Sequence, residues 1–236
     1  MSAQVFTGAT VFDGTRLLPG ATLRVEDGRV TDPGPGEVVR LDGGILAPGF
    51  LDLQVNGGGG RMVDGFATAD RLAEMCGIHA RLGATGILPT LITDAPEATA
   101  RVIAAGIEAT RRQVPGFLGL HLEGPHLDPR RKGAHDPALI RPMGEDDLNR
   151  LLEAAAALPT LMVTLAPESA TPDQIGRLAA AGVIVSLGHT DCSHATASQA
   201  MAAGASCVTH LFNAMSQLGN REPGLVGAAL TGPVHA

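Results

Sequence analysis

The sequence predicts an α/β protein: a TIM-type (β/α)₈ barrel preceded by a small β-layer. Three observations predict it. Beyond residue 48, nearly continuous apolar runs alternate with amphipathic helical stretches, the pattern of parallel strands covered by helices. Polar residues fall at or just after the ends of those runs: Gln54 and Asn56, Thr90 and Thr93, His121 and Glu123, Glu168, His189, then His210 and Asn213. A barrel gathers its strand ends on one face, whereas a doubly wound open sheet, the other architecture that fits, spreads them along an edge. Convergence of so many polar strand ends favours the barrel.

The β-layer comes first. Val5–Thr7, Thr10–Phe12, Leu23–Val25, Arg29–Thr31 and Val38–Leu41 are short β-prone runs, and Glu26-Asp27-Gly28 between the third and fourth marks a hairpin. Residues 1–47 therefore read as a small β-layer, too thin to stand alone, and 48–236 as the barrel. In the barrel the expected strands are Phe50–Val55, Gly86–Leu91, Phe117–Leu122, Thr160–Leu165, Val183–Leu187 and Cys207–Leu211. The expected helices between them run near Asp70–Leu82, Pro96–Arg112, Glu145–Ala157, Pro172–Ala181 and His194–Ala203. Six strands are present of eight, and roughly 190 residues serve a fold that commonly takes about 250. The barrel is therefore expected to be truncated at its C-terminal end, with its first and sixth strands as open edges.

Composition narrows the function. The 236 residues carry 17 basic and 24 acidic side chains, a net charge of −7, with the basic residues scattered rather than clustered. That excludes a nucleic-acid footprint or an anionic-membrane patch. Aromatics are 3%, all Phe, so stacking platforms for bases or sugars are missing. No apolar run of about 18 residues occurs to span a membrane. The N-terminus shows no signal-peptide pattern. Three cysteines, Cys76, Cys192 and Cys207, have no paired spacing and suit a reducing cytoplasm.

The strongest local signal is His121-Leu122-Glu123-Gly124-Pro125-His126. Residues 121 and 123 share a strand face, and Glu123 stands at the strand end beside a Gly-Pro turn. His189 and His210 end two successive strands twenty-one residues apart, one βα repeat, and so occupy equivalent places. One glutamate and two histidines at a barrel mouth match a catalytic metal set of three protein ligands with a position left open. Zinc is the first choice, with iron, cobalt or manganese able to use the same donors. The remaining histidines read differently: His79 on a helix's apolar stripe as core, His126 and His135 in the loop 125–137 that could close over the mouth, and His194 as surface.

Together these motifs resemble the N-acetylglucosamine-6-phosphate deacetylases of the amidohydrolase superfamily. The matching pieces are Pro48 to Gly57, His121 to Pro125 with Lys132-Gly133-Ala134-His135, Gly188-His189-Thr190, Thr209 to Met215 and Arg221-Glu222-Pro223-Gly224, in the family's order along nearly the whole chain. The resemblance implies that residues 1–47 are the N-terminal part of a β-sandwich domain and that a metal is held by Glu123, His189 and His210. It implies sugar contacts from Ala134, His135, Asn213 and Ala214, and a phosphate contact from Arg221. Where many amidohydrolases carry a His-x-His second-metal site, this chain has Gln54-Val55-Asn56, a vestige at most, so one divalent metal is expected. The implied reaction is hydrolysis of the N-acetyl group of N-acetyl-D-glucosamine 6-phosphate to D-glucosamine 6-phosphate and acetate, in a cytoplasmic homodimer. The alternatives are another amidohydrolase, acting on a cyclic amide or an N-acyl amino acid, and a metal-binding fragment without turnover.

The family's catalytic aspartate is expected beyond residue 236. Asp52 lies deeper in its strand and Asp128 lies in a loop, so neither takes its place. Residues 1–236 alone are therefore expected to aggregate or be partly disordered and to lack deacetylase activity. A soluble, cooperatively melting monomer with turnover would contradict that.

Overall fold

The computed structural model describes residues 3–236. By the density of internal contacts the chain divides into two compact units, Met1–Phe50 and Leu51–Ala236.

The first unit holds two small sheets. Strands β1 (Gln4–Thr7), β4 (Leu23–Glu26), β5 (Arg29–Thr31) and β6 (Glu37–Arg40) form one, in the order β5-β4-β1-β6. Strands β2 (Thr10–Phe12), β3 (Leu17–Leu18) and β7 (Ile45–Leu46) form the other. The β4–β5 hairpin turns on Asp27 and Gly28, both at positive φ (49° and 75°), a backbone that matches the twist of two antiparallel strands. β3 and β7, two residues each, carry too little alternation to be seen in the sequence.

The second unit begins with β8 (Phe50–Val55) and a glycine hairpin, β9 (Gly57–Gly58) with β10 (Arg61–Met62). Then come α1 (Ala69–Ala80), β11 (Ala84–Ile92), α2 (Pro96–Arg111), β12 (Leu120–Glu123), a 3₁₀ turn (Pro129–Arg131), α3 (Glu145–Ala157) and β13 (Leu161–Leu165). The series ends with α4 (Pro172–Ala180), β14 (Ile184–Leu187), α5 (His194–Ala203), β15 (Cys207–Val208) and α6 (Gly224–Thr231). Six strands lie in the order β15-β14-β13-β12-β11-β8, each beside its predecessor in the chain, and the registers recorded from β11 to β15 are parallel. The sheet curls into half of a barrel with helices outside.

Strand burial explains the apolar runs. Every residue of β12 and β13 is buried, because helices cover one face and the barrel interior the other. Leu72, Ile87, Leu120, Leu148, Leu165 and Leu178 are buried to within 2% of complete in the resulting core. Helix starts follow ordinary capping. Thr171 accepts from the Gln174 amide while the Gln174 side chain accepts from Thr171, and the Thr68 and Ser193 side chains cap α1 and α5.

Two expectations change. The strand placed at 207–211 stops at Val208, because His210 and Phe212 adopt positive φ (36° and 76°) and turn the chain out of the sheet. Nor is the outer edge of β15 wholly open. Cys207 and His235 form a parallel bridge in which Val208 N–H donates to the His235 carbonyl at 2.7 Å and His235 N–H to that of Ser206 at 3.0 Å. β8 is an edge as expected, which leaves Leu51 and Leu53 exposed in spite of their apolar run.

Inside the half-barrel a chain of hydroxyls crosses the strands. His121 Nδ1–H donates to the Leu53 carbonyl at 3.0 Å, so Nε2 accepts from Thr164 at 2.7 Å. The Thr164 hydroxyl oxygen lies 2.6 Å from that of Thr209, which lies 2.7 Å from that of Ser186. Burial holds His121 down to about 4, against an attraction to Glu123 that works the other way, so the ring is neutral. Among the described residues no buried side-chain nitrogen or oxygen lacks a partner.

Leu120→Ala removes a side chain buried completely between β12 and α2, and should cost about 2–5 kcal/mol in urea denaturation. All three cysteines are unpaired, and burial raises the Cys76 and Cys192 thiols to about 11. A disulfide reagent at pH 8 should accordingly label Cys207 first and the other two only on denaturation. Three equally fast thiols would contradict the burial.

Candidate metal centre

Three acceptor atoms meet at the mouth. Glu123 closes β12, His189 lies two residues past β14, and His210 lies two residues past β15. His189 Nε2 and His210 Nε2 each lie 3.2 Å from Glu123 Oε1 and 3.1 Å from one another. All the ligand atoms of the three lie within 4.8 Å of each other, and these residues are the one such His/Glu group found among the described residues.

The ring tautomers fit a metal. His189 Nδ1 lies 2.8 Å from the Arg131 carbonyl oxygen, and His210 Nδ1 lies 3.2 Å from that of Asn213. A carbonyl cannot donate, so each Nδ1 carries the proton and each Nε2 turns a lone pair inward. Metal-bound imidazoles are held in this way by a carbonyl behind the ring. Gln54 Nε2 donates to Glu123 Oε1 at 3.0 Å and fixes the carboxylate from the end of β8, two strands away.

Charge at the site follows. When Nε2 of His189 or His210 is protonated it donates to Glu123; burial works to raise the carboxyl, but these hydrogen bonds outweigh it and hold the group well below the usual carboxylate range. The same bond raises His210, and a cation held by the three residues would displace that proton. A carboxylate with two neutral ring nitrogens is a donor set suited to zinc and its neighbours in the first transition row.

His135 has the opposite tautomer. The Thr93 backbone N–H donates to its Nδ1 at 3.2 Å and the Thr93 hydroxyl lies 2.7 Å from the same atom. Nδ1 is thus an acceptor and Nε2 carries the hydrogen, 3.9 Å from Glu123 Oε2. Burial, then the neighbouring His189, holds His135 down to about 4, so the ring is a neutral donor.

A cavity of about 390 Å³ opens onto these groups, lined by Gln54, Asn56, Met62, Ile92, Glu123, Ala134, His135, His189 and His210. No aspartate is among its walls. Met62, on the glycine hairpin, and Ile92, at the end of β11, are apolar wall residues that nothing in the sequence singled out. His126 does not line it, being buried with Nδ1 3.1 Å from the Arg141 carbonyl. His194 is half-buried at the start of α5. Asn213, Ala214 and Arg221 stand apart from the cavity walls, in the loop between β15 and α6. In that loop Asn213 supplies its carbonyl to His210, Ala214 has φ 49°, and Arg221 is exposed with no ion pair among the described residues.

Two strained residues mark the site. His189 and His210 have φ of 49° and 36°, in the left-handed region that histidine seldom enters. Such strain concentrates where function requires it. Neither signal is visible in the sequence, since both arise from the turn that leaves each strand.

His189→Ala or His210→Ala should abolish stoichiometric metal binding, measured by elemental analysis after gel filtration with excess zinc. Wild-type metal content in either variant would refute the site.

No protein-family model matches the chain. It is 48% identical over 190 residues to the N-acetylgalactosamine-6-phosphate deacetylase of Shewanella sp. strain ANA-3, covering 80% of this chain and 48% of that protein. It is 38% identical over 237 residues to the N-acetylglucosamine-6-phosphate deacetylase of Rattus norvegicus, covering 92% and 58% respectively. The crystal structure of N-acetylglucosamine-6-phosphate deacetylase from Pasteurella multocida superposes with a TM-score of 0.93 at 32% identity, over 98% of this chain and 63% of that one. The chain thus spans about half the length of the curated relatives it matches. In sequence and in fold it corresponds to the N-terminal part of the N-acetylhexosamine-6-phosphate deacetylases.

Proposed function

We propose that a protein built on this chain hydrolyses the N-acetyl group of an N-acetylhexosamine 6-phosphate, releasing acetate and the free amino sugar phosphate. The observation that carries the proposal is the convergence of Glu123 Oε1, His189 Nε2 and His210 Nε2 beside a ring N–H of His135. What a divalent cation held by the first three supplies is Lewis acidity, towards a carbonyl and towards water. The rest falls to the chain's own groups. His135 Nε2–H faces the same cavity as a neutral donor and is placed to hold a carbonyl or hydroxyl of the sugar. Ala134, beside it, adds a wall without bulk, while Asn213 and Ala214 approach from the next loop. Arg221 offers a forked, permanently charged donor set to the 6-phosphate. Gln54 and Asn56 stand where a second metal would need imidazoles, which supports a single ion, most simply zinc.

The proposal includes a whole barrel of eight strands, a β-sandwich partly built by residues 1–47, a homodimer and a cytoplasmic site of action. Among the described residues no helix is long and apolar enough to cross a membrane. The aspartate that handles the proton is expected from a part of the protein outside this chain.

Two sugars compete for the role of substrate. The wider set of relatives named for N-acetylglucosamine 6-phosphate supports that sugar, whereas the 48% identity to a protein named for the galactosamine epimer supports the other. Comparing kcat/KM for the two epimers in the full-length protein decides between them. No turnover of either, with hydrolysis of a cyclic amide or an N-acyl amino acid instead, would overturn the reading. Arg221→Lys should raise KM for the phosphosugar about tenfold, equivalent to about 1.4 kcal/mol, and leave kcat nearly unchanged. An unchanged preference for phosphorylated over plain sugar would remove Arg221 from the phosphate site.

A further inference from the structure

The Arg131 carbonyl that fixes His189 is itself anchored by charge. We propose that the Arg131–Asp191 ion pair is a positioning device that holds the His189 ring in its metal-binding tautomer and orientation. The proposal rests on the reading of Glu123, His189 and His210 as metal ligands.

Arg131 Nε and one terminal nitrogen both bond to Asp191 Oδ1, at 2.8 and 2.6 Å. Asp191 lies two residues past His189, so the pair ties the loop after β12 to the segment that carries the ligand. The same segment is held twice more. Asp128 N–H donates to the His189 carbonyl at 2.9 Å, and the Glu168 carboxylate accepts from the Thr190 hydroxyl at 2.5 Å and the Asp191 N–H at 3.0 Å. Arg130 joins Asp128, Glu168 and Asp191 at 2.6, 3.4 and 3.3 Å. Gly133, at φ 56°, passes close to the ring, and an added Cβ would come within 3.2 Å of His189 Cε1. The loop thus holds His189 by its carbonyl and by its Nδ1 edge.

Function rather than fold stability explains the arrangement. The Arg131 and Asp191 side chains are 36% and 30% exposed, and pairs in such surroundings contribute little to folding. Their leverage is local: without Asp191, the Arg131 carbonyl loses its fixed direction, and with it the hydrogen bond at Nδ1. Partners behind a metal-bound histidine are typically worth about ten- to a hundredfold in metal affinity.

The test measures, in the full-length protein, zinc affinity by chelator competition, thermal midpoint, and the visible spectrum with cobalt(II) in place of zinc. Asp191→Asn and Arg131→Ala should each weaken zinc binding about tenfold or more and alter the cobalt bands, with the midpoint almost unmoved. Arg131→Lys, which keeps the charge, should recover part of the affinity and carries the test should Arg131→Ala fail to fold. The double variant Asp191→Asn/Arg131→Ala should lose less than the sum of the two single changes, because the two residues share a contact. Wild-type zinc affinity in both single variants, while His189→Ala loses its metal, would overturn the positioning role alone. Equal zinc binding by wild type and His189→Ala would overturn the metal assignment, and this proposal with it.

Discussion

Three acceptor atoms crowded within 4.8 Å of one another impose the constraint on which the barrel mouth depends. Lone pairs at such distances repel, so the arrangement is favourable when a cation shares them, and it must be enforced from behind. Each acceptor is backed by a different part of the chain: the Gln54 amide for Glu123, the Arg131 carbonyl for His189 and the Asn213 carbonyl for His210. The backing groups lie at the end of β8, in the loop after β12 and in the loop after β15. Half a barrel already brings them together, because adjacent parallel strands end at one level. A site built from three separate βα loops needs the sheet as its ruler.

The turns that leave β14 and β15 carry the cost. Left-handed backbone at a non-glycine residue costs of the order of 1–3 kcal/mol. It falls on the two ligand histidines and again on Phe212 and Ala214. The positive φ swings each imidazole back over the strand ends instead of letting it follow the strand outward. Hydrogen bonds offset part of the cost: Asp128 N–H to the His189 carbonyl at 2.9 Å, and Asn213 N–H to the His210 carbonyl at 2.8 Å. The rigid layer beneath, with Thr164, Ser186 and Thr209 linked to His121, resists relaxation of the strands.

Strand type and order were legible because buried parallel strands are apolar throughout, and β12, β13 and β14 leave almost no residue exposed. The convergence of Glu123, His189 and His210 was legible for a related reason. Histidines one βα repeat apart must occupy matching positions if the architecture is a barrel. What could not be read were features made by backbone. The two-residue strands β3, β7, β9 and β10 exist through hydrogen bonds that no periodicity records. α6 went unseen because its eight residues are apolar or small all round, with six of them buried and no polar face to reveal a helical period. Met62 and Ile92 reach the cavity wall by the path of the chain, and an isolated methionine or isoleucine in a sequence does not differ from any core residue. Gln54 was read as the relic of a metal position, whereas the fold gives it a present task as a donor to Glu123.

The three histidines at the mouth show why residue type alone underdetermines chemistry. His135, His189 and His210 have the same side chain, and the rings of His135 and His189 sit 4.4 Å apart. Two of the three receive a carbonyl at Nδ1 and turn a lone pair inward; the third receives an N–H at Nδ1 and turns a hydrogen inward. An imidazole with a free lone pair can take a cation, and one with an N–H cannot, but it can hold a carbonyl oxygen. Which rings turn a lone pair into the site, and which a hydrogen, is therefore written in the backbone groups of Arg131, Asn213 and Thr93. Exchanging the Asn213 or Thr93 side chain leaves the backbone group in place, whereas at Arg131 the side chain, through Asp191, also sets the direction of the carbonyl. Only a change in the path of the loop can exchange the roles, which makes the loop anchors, as much as the histidines, the determinants of what this site can bind.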